Sequence, residues 1–310
     1  MLIGAFLVLF ILLPTLLLIL FQRKLFYHPY SGCSNTTRSQ PSDFGIKYEN
    51  VRIKTSDGVE LDGWFLKQSD TKQRPTILFF HGNAGNLTTR LKQLVQMFNS
   101  SLKPNLVVFS YRGYGLSGPG KISQKNLMSD AKAILNWCVQ EEQMDRLIVY
   151  GKSLGGAVAL QALVTLGYQE HVDGLVLENT FSSVEDLIFD YTPFFIPRWF
   201  ISRVLYDKWR SKDLIGNVTI PTLMISSEKD ELIDAKHMHN LRSSFNEDMQ
   251  LFFLSLPHSR HNNAFLADAK LFADGFYLYF YKTFGSLKSL KGFENISVSG
   301  SNIFTSEDDS

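Results

Sequence analysis

The sequence predicts an α/β chain with one mostly parallel central sheet, helices on both of its faces and a short helical cap insertion, preceded by one N-terminal transmembrane helix. Three observations carry this expectation. Arg146–Gln161 reads as a buried strand, a sharp turn and a helix. From Tyr48 onward, apolar strand-like runs alternate with amphipathic stretches, the rhythm of a parallel sheet with crossover helices. Leu2–Phe21 contains no charged residue.

As a helix rising about 1.5 Å per residue, Leu2–Phe21 spans a hydrocarbon core of roughly 30 Å. No basic residue precedes the run and no small-x-small site follows it, which argues against a cleaved signal peptide. Pro14 is tolerable in lipid, where local rearrangement satisfies the freed carbonyl. Arg23 and Lys24 end the segment, and Phe26, Tyr27 and Tyr30 are candidate interfacial anchors. The expected organisation is an anchor over 1–22, a polar tether over 23–45, an α/β domain over 46–284 and a flexible, serine-rich tail over 285–310.

Within the domain, Val51–Lys54 and Leu61–Leu66 flank Ser56-Asp57-Gly58, a hairpin signal. Thr76–Phe80, Leu106–Tyr111, Leu147–Tyr150, Gly174–Leu177, Thr222–Ser226 and Gln250–Leu256 read as further strands, and helical patterns cover Thr88–Asn99 and Asn126–Val139. The rhythm breaks over about 181–216, where Phe181, Phe189, Tyr191, Trp199, Tyr206 and Trp209 crowd together with Pro193 and Pro197. This is the expected cap over the carboxyl edge of the sheet. About half of its aromatics should form its own core, and the rest could line an acyl pocket.

With 310 residues, 45% of them hydrophobic, the chain can bury one large core. A formal net charge of +1 offers no basic field for nucleic acid. Cys33 and Cys138 are too few and too far apart for a disulfide framework or a metal cluster. No H-E-x-x-H pair occurs, so neither a metal nor another cofactor is expected.

The chemistry centres on Gly151-Lys152-Ser153-Leu154-Gly155. G-x-S-x-G holds a serine on a strained strand-to-helix turn, where flanking glycines admit neighbouring backbone. A phosphate loop is excluded because Arg146 stands where G-x-x-x-x-G-K-S needs its first glycine. A serine hydroxyl is a weak nucleophile, so Ser153 needs a histidine base oriented by an acid, both later in the chain. Asp230, in the loop after Thr222–Ser226, fits the acid; Glu178 is the substitute. Asp234 is better explained as a helix cap. Of His258 and His261, the second stands where the loop turns back across the sheet and is preferred as base. The oxyanion needs two amide donors: the N–H of Leu154, and one from His81-Gly82-Asn83-Ala84-Gly85-Asn86, for which Asn83 is chosen. His81 is read as a loop brace.

Together these residues resemble the α/β-hydrolase superfamily. HGNAGN at His81–Asn86, YRGYG at Tyr111–Gly115, GKSLGGAVA at Gly151–Ala159, ENTF at Glu178–Phe181 and His261-Asn262 are similar, more narrowly, to the membrane-anchored branch called α/β-hydrolase domain-containing protein 13. The resemblance implies a serine hydrolase with a signal anchor, distantly similar to acyl-protein thioesterases, and places the same roles on Ser153, Asp230 and His261. Ser259-Arg260 departs from the glycine-containing turn of relatives, which bears on the choice between His258 and His261.

The expected activity is hydrolysis of esters or thioesters with apolar acyl groups, from lipid or acylated protein. The contending class is an idle hydrolase fold serving as a membrane-tethered binding or morphogenesis protein. For topology two signals conflict. Arg23 and Lys24 favour a cytosolic domain, whereas N-x-S/T acceptors at Asn35, Asn86, Asn99, Asn217 and Asn295 and the resembled branch favour a lumenal one. The expectation is a type II protein with the hydrolase domain lumenal or extracellular and glycan on Asn295 or Asn35.

Overall fold

A computed structural model describes residues 13–31, 39–191, 197–285 and 303–305. Among the described residues nine strands form one sheet: β1 (Tyr48–Lys54), β2 (Glu60–Leu66), β3 (Thr76–Phe80), β4 (Asn105–Phe109), β5 (Leu147–Lys152), β6 (Gly174–Glu178), β7 (Thr222–Ser227), β8 (Leu251–Leu256) and β9 (Ile303–Thr305). Their spatial order is β1-β2-β4-β3-β5-β6-β7-β8-β9. β3 to β8 run parallel, while β1, β2 and β9 enter antiparallel at the two edges. The strand at 303–305 lies within the tail expected to be flexible.

The helices are α1 (Leu13–Phe26), α2 (Leu87–Phe98), α3 (Gln124–Asn136), α4 (Leu154–Leu166), α5 (Val184–Asp190), α6 (Arg198–Val204), α7 (Lys236–Ser243), α8 (Ala264–Ala267) and α9 (Ala269–Phe284). The pleat decides what each covers, because successive strand side chains point to opposite faces. In β5, Leu147 and Val149 join one core with Leu127 and Leu135 of α3, Val158 of α4 and Leu241 of α7. Ile148 and Tyr150 join the other, with Leu91 and Leu94 of α2 and Phe276 and Phe280 of α9. Every residue of β5 is buried, as a central strand covered on both sides requires.

At the amino-terminal end one expectation lies partly outside the described residues and another changes. Among the described residues no helix is long and apolar enough to cross a membrane, and the first part of the expected span, residues 1–12, lies outside them. The residues expected to begin a polar tether are instead seated on the domain. Tyr27, expected at a lipid interface, is 4% exposed because its hydroxyl is shared between Asp207 and the indole of Trp209. α5 and α6 occupy the expected cap insertion. Asn35, Asn295, Cys33, Phe194 and Phe195 lie outside the described residues.

Candidate active site

Ser153 follows β5 and precedes α4 with φ 54° and ψ −123°, a region that costs a non-glycine residue roughly 1–3 kcal/mol. Its neighbours explain the glycines. A side chain at Gly155 would lie 2.0 Å from the Phe80 carbonyl oxygen, and one at Gly151 would lie 2.4 Å from that of Gly155. The elbow is pinned by two bonds: the Ser153 amide donates to the Glu178 carbonyl at 2.8 Å, and Thr180 Oγ1 donates to the Ser153 carbonyl at 2.8 Å. Leu154 is the first residue of α4, so its N–H belongs to the turn that has no acceptor inside the helix. The helix dipole adds partial positive charge there.

Asp230 and His261 meet across the loops that follow β7 and β8. His261 Nδ1 lies 2.6 Å from Asp230 Oδ2, with both side chains almost wholly buried. A carboxylate at that distance keeps the proton on Nδ1 and leaves Nε2 as the basic nitrogen. The other oxygen, Oδ1, accepts the amides of Leu232 and Ile233 at 2.8 Å, which fixes the carboxylate in its loop. Asn179 joins the two loops: its Nδ2 donates to Ser227 Oγ at 3.0 Å and to the His261 carbonyl at 3.2 Å, and its Oδ1 accepts the Ser227 amide at 2.9 Å.

The alternatives find other work. Glu178 is fully buried, with one oxygen 2.6 Å from Lys152 Nζ and the other accepting from Tyr150 at 2.5 Å and Gln93 at 3.0 Å, so its carboxylate is occupied away from His261. His258 is exposed, and its amide donates to Asp268 at 3.0 Å. Asp234 accepts the Lys236 amide at 2.9 Å, as a cap should. The Ser259-Arg260 turn is held without glycine, because Ser259 Oγ donates to Asp268 at 2.5 Å and the Arg260 amide donates to Asn263 at 2.6 Å.

The loop after β3 crosses the elbow. A side chain built on Gly82 would stand 3.4 Å from Ser153 Cβ, which measures how closely the two segments approach. His81 braces the loop: it is fully buried, its Nδ1 lies 2.8 Å from the Gly82 carbonyl, and its Nε2 faces the Tyr111 amide at 3.4 Å. Burial pushes the His81 imidazole down to about 3, so it is neutral at physiological pH. Tyr111 donates to the His81 carbonyl and Tyr114 to Asn83 Oδ1, each at 3.1 Å, which gives YRGYG its role beside the site. Arg112 of the same motif pairs with Asp130 at 2.7 Å and Asp57 at 2.6 Å, tying the β1–β2 hairpin to α3.

A cleft of about 940 Å³ opens beside these groups, bordered by Gly82, Asn83, Lys152 and His261. Its apolar wall comes from Phe44, Val95, Phe265 and Leu266, and none of the described cap aromatics lines it. The cap rings expected there are used elsewhere. Trp209 and Phe181 are buried, Trp209 bonding to Tyr27 and Phe181 packing edge-on against Phe26 at 6.5 Å; Tyr191, Trp199 and Tyr206 are exposed. Of the glycan acceptors, Asn86 is buried and caps α2 through the Thr88 amide at 2.9 Å, whereas Asn99 and Asn217 are exposed.

Sequence reasoning had no role for Asn179, although it lies inside the quoted ENTF stretch, and none for Phe44, and it read Phe26 only as an interfacial anchor. The Asp230–His261 pair, the Ser153 elbow and the Gly82–Asn83 loop are thus gathered around one cleft.

A family model described as Serine aminopeptidase, S33 matches residues 71–212. Alpha/beta hydrolase domain-containing protein WAV2 of Arabidopsis thaliana is 35% identical over 271 residues, covering 83% of this chain and 86% of that protein. Protein bem46 of Schizosaccharomyces pombe is 36% identical over 232 residues, covering 74% and 75%. Among solved structures, the Pyrococcus furiosus esterase Pf2001 superposes with a TM-score of 0.66 at 17% identity, covering 83% of this chain and 98% of that one; at such identity it shows the fold alone.

Proposed function

The chain belongs to the α/β-hydrolase superfamily, and from that premise we propose that it is a serine hydrolase cleaving carboxylic esters or thioesters through an acyl-enzyme on Ser153. The observation that carries this reading is the 2.6 Å contact between His261 Nδ1 and Asp230, on loops that border the same cleft as the Ser153 elbow. In the first half-reaction His261 Nε2 takes the Ser153 proton as Oγ bonds to the substrate carbonyl carbon. The oxyanion is received by the amides of Leu154 and Asn83. Collapse of the tetrahedral intermediate breaks the bond to the leaving alcohol or thiol, which takes its proton from His261. Water then enters; His261 removes a proton from it, hydroxide attacks the acyl carbon, and the proton returns to Ser153 as the acid departs. Asp230 stays ionised throughout and stabilises the transient imidazolium.

Apolar acyl groups are the proposed substrates, supported by Phe44, Val95, Phe265 and Leu266 along the cleft. Residues 2–21 are the proposed membrane anchor, with Arg23 and Lys24 at its end and the hydrolase domain lumenal or extracellular. Asn35 or Asn295 is the proposed glycan acceptor, and Asn86, buried at the start of α2, is set aside. Labelling with a fluorophosphonate probe tests the chemistry: label on wild type and none on Ser153→Ala is expected, and equal label on both sinks the reading. Glycosidase treatment paired with protease protection of microsomes tests topology. An unshifted band with a digested domain would reverse it.

A further inference from the structure

The end of α1 bonds to two parts of the molecule at once. On the cap side, Arg23 Nε and Nη2 donate to Asp207 Oδ2 and Oδ1 at 2.8 and 3.1 Å, and the Tyr27 hydroxyl donates to the same carboxylate at 3.2 Å. Gln22 adds a bond to the Val204 carbonyl at 3.0 Å and accepts the Tyr206 amide at 2.8 Å. On the site side, Asn83 Nδ2 donates to the carbonyl of Phe26, the last residue of α1. The Gly85 amide donates to the His28 carbonyl at 3.1 Å, and His28 pairs with Ala84 as a parallel bridge.

We propose that Arg23–His28 is a positioning segment of the oxyanion hole, aiming the Asn83 amide and itself held by the Asp207 latch. This rests on the hydrolase reading above. The Asn83 side chain has two polar ends and both are used: Oδ1 takes the Tyr114 hydroxyl, and Nδ2 takes Phe26. A terminal helix carbonyl carries partial negative charge, which suits it to hold an amide NH₂. Without it the side chain keeps one anchor, and the Gly82–Gly85 loop gains the rotational freedom its glycines allow. The bidentate pair with Asp207, whose carboxylate is 8% exposed, resists that displacement. Seating of the helix that leads to the proposed anchor thereby becomes a condition for full turnover.

The test uses full-length protein in detergent, with active sites counted by fluorophosphonate so that misfolded molecules drop out, and kcat and KM measured on a p-nitrophenyl acyl ester. Losing an oxyanion donor costs about 10²–10³-fold in rate, so Arg23→Ala, Asp207→Asn and Asn83→Ala, which misaim it, should each lower kcat per titrated site about tenfold or more with little change in KM. Arg23→Lys should recover part of the loss, and Arg23→Ala should add little on the Asn83→Ala background. Unchanged kcat per site in Arg23→Ala and Asp207→Asn, or full additivity with Asn83→Ala, overturns this inference alone. A wild type that takes no label overturns the hydrolase reading and this inference with it.

Discussion

Replacing Asp230 by asparagine isolates the orienting role of one oxygen. In the native loop Oδ1 accepts two backbone amides and Oδ2 accepts the His261 ring proton. Asparagine can keep its carbonyl oxygen on the Leu232 and Ile233 amides, so the loop is retained. Its NH₂ then faces Nδ1, donor against donor at 2.6 Å unless the ring changes tautomer. A ring protonated on Nε2 cannot take the Ser153 proton. The same exchange in a serine-protease triad lowers kcat about 10⁴-fold, roughly 5 kcal/mol of barrier, and a loss of that order is expected here. It should be smaller than the losses from Ser153→Ala and His261→Ala, and the thermal midpoint should stay near wild type. Steady-state turnover of an aryl ester, normalised to folded protein by circular dichroism, measures it. An Asp230→Asn enzyme within tenfold of wild type would refute the argument and shift attention to Glu231, whose Oε2 lies 3.4 Å from the His261 amide.

Ser153→Ala and His261→Ala should each abolish nearly all turnover and the double variant be scarcely worse, since the groups act as a unit; His258→Ala should be near wild type, and inactivation by that change instead would move the base to His258. Lys152→Met strands a fully buried carboxylate and should cost about 3–5 kcal/mol in chemical denaturation, while Lys152→Met with Glu178→Gln should recover part of it. His81 supplies a pH signature. Its folded value of about 3 lies below the ordinary 6.5, so the unfolded chain binds the proton first, and stability present above pH 6.5 is lost as pH falls toward 3. The slope from this group alone approaches about 1.4 kcal/mol per pH unit, and His81→Asn should flatten that part of the acid limb seen in denaturant melts at successive pH values.

What could be read from the sequence was what local spacing determines. Ser153 needs glycines at fixed offsets because Gly155 must pass the Phe80 carbonyl, and that demand is written into five consecutive residues. Asp230 and His261 were legible for a related reason: chain order in a parallel sheet puts successive loops at one edge, so position after a strand stands in for position in space. The cap aromatics fail that test. Composition indicates that about half of these rings will be buried but neither which ones nor against what, and for Trp209 and Phe181 the partners, Tyr27 and Phe26, lie far upstream. Asn179 was hidden likewise, since its value comes from touching Ser227 and His261, 48 and 82 residues later in the chain.

The amino-terminal segment shows where polarity alone misleads. Arg23, Tyr27 and Asn83 look like a charge at a membrane edge, an interfacial aromatic and a loop amide, because each has a common solvated reading. In the folded chain each of these polar groups has a specific protein partner: the guanidinium finds Asp207, the phenol lies between Asp207 and Trp209, and the amide reaches the last carbonyl of α1. A polar side chain at 4% exposure, as Tyr27 is, must have its hydrogen bonds met inside the protein, and here its partners lie in the cap. The boundary drawn at residue 46 from composition therefore separates segments that the hydrogen bonds join. A domain cut there would remove the Phe26 and His28 carbonyls that hold the Asn83–Gly85 loop while keeping Ser153, Asp230 and His261. Removal of residues 1–21 alone keeps both.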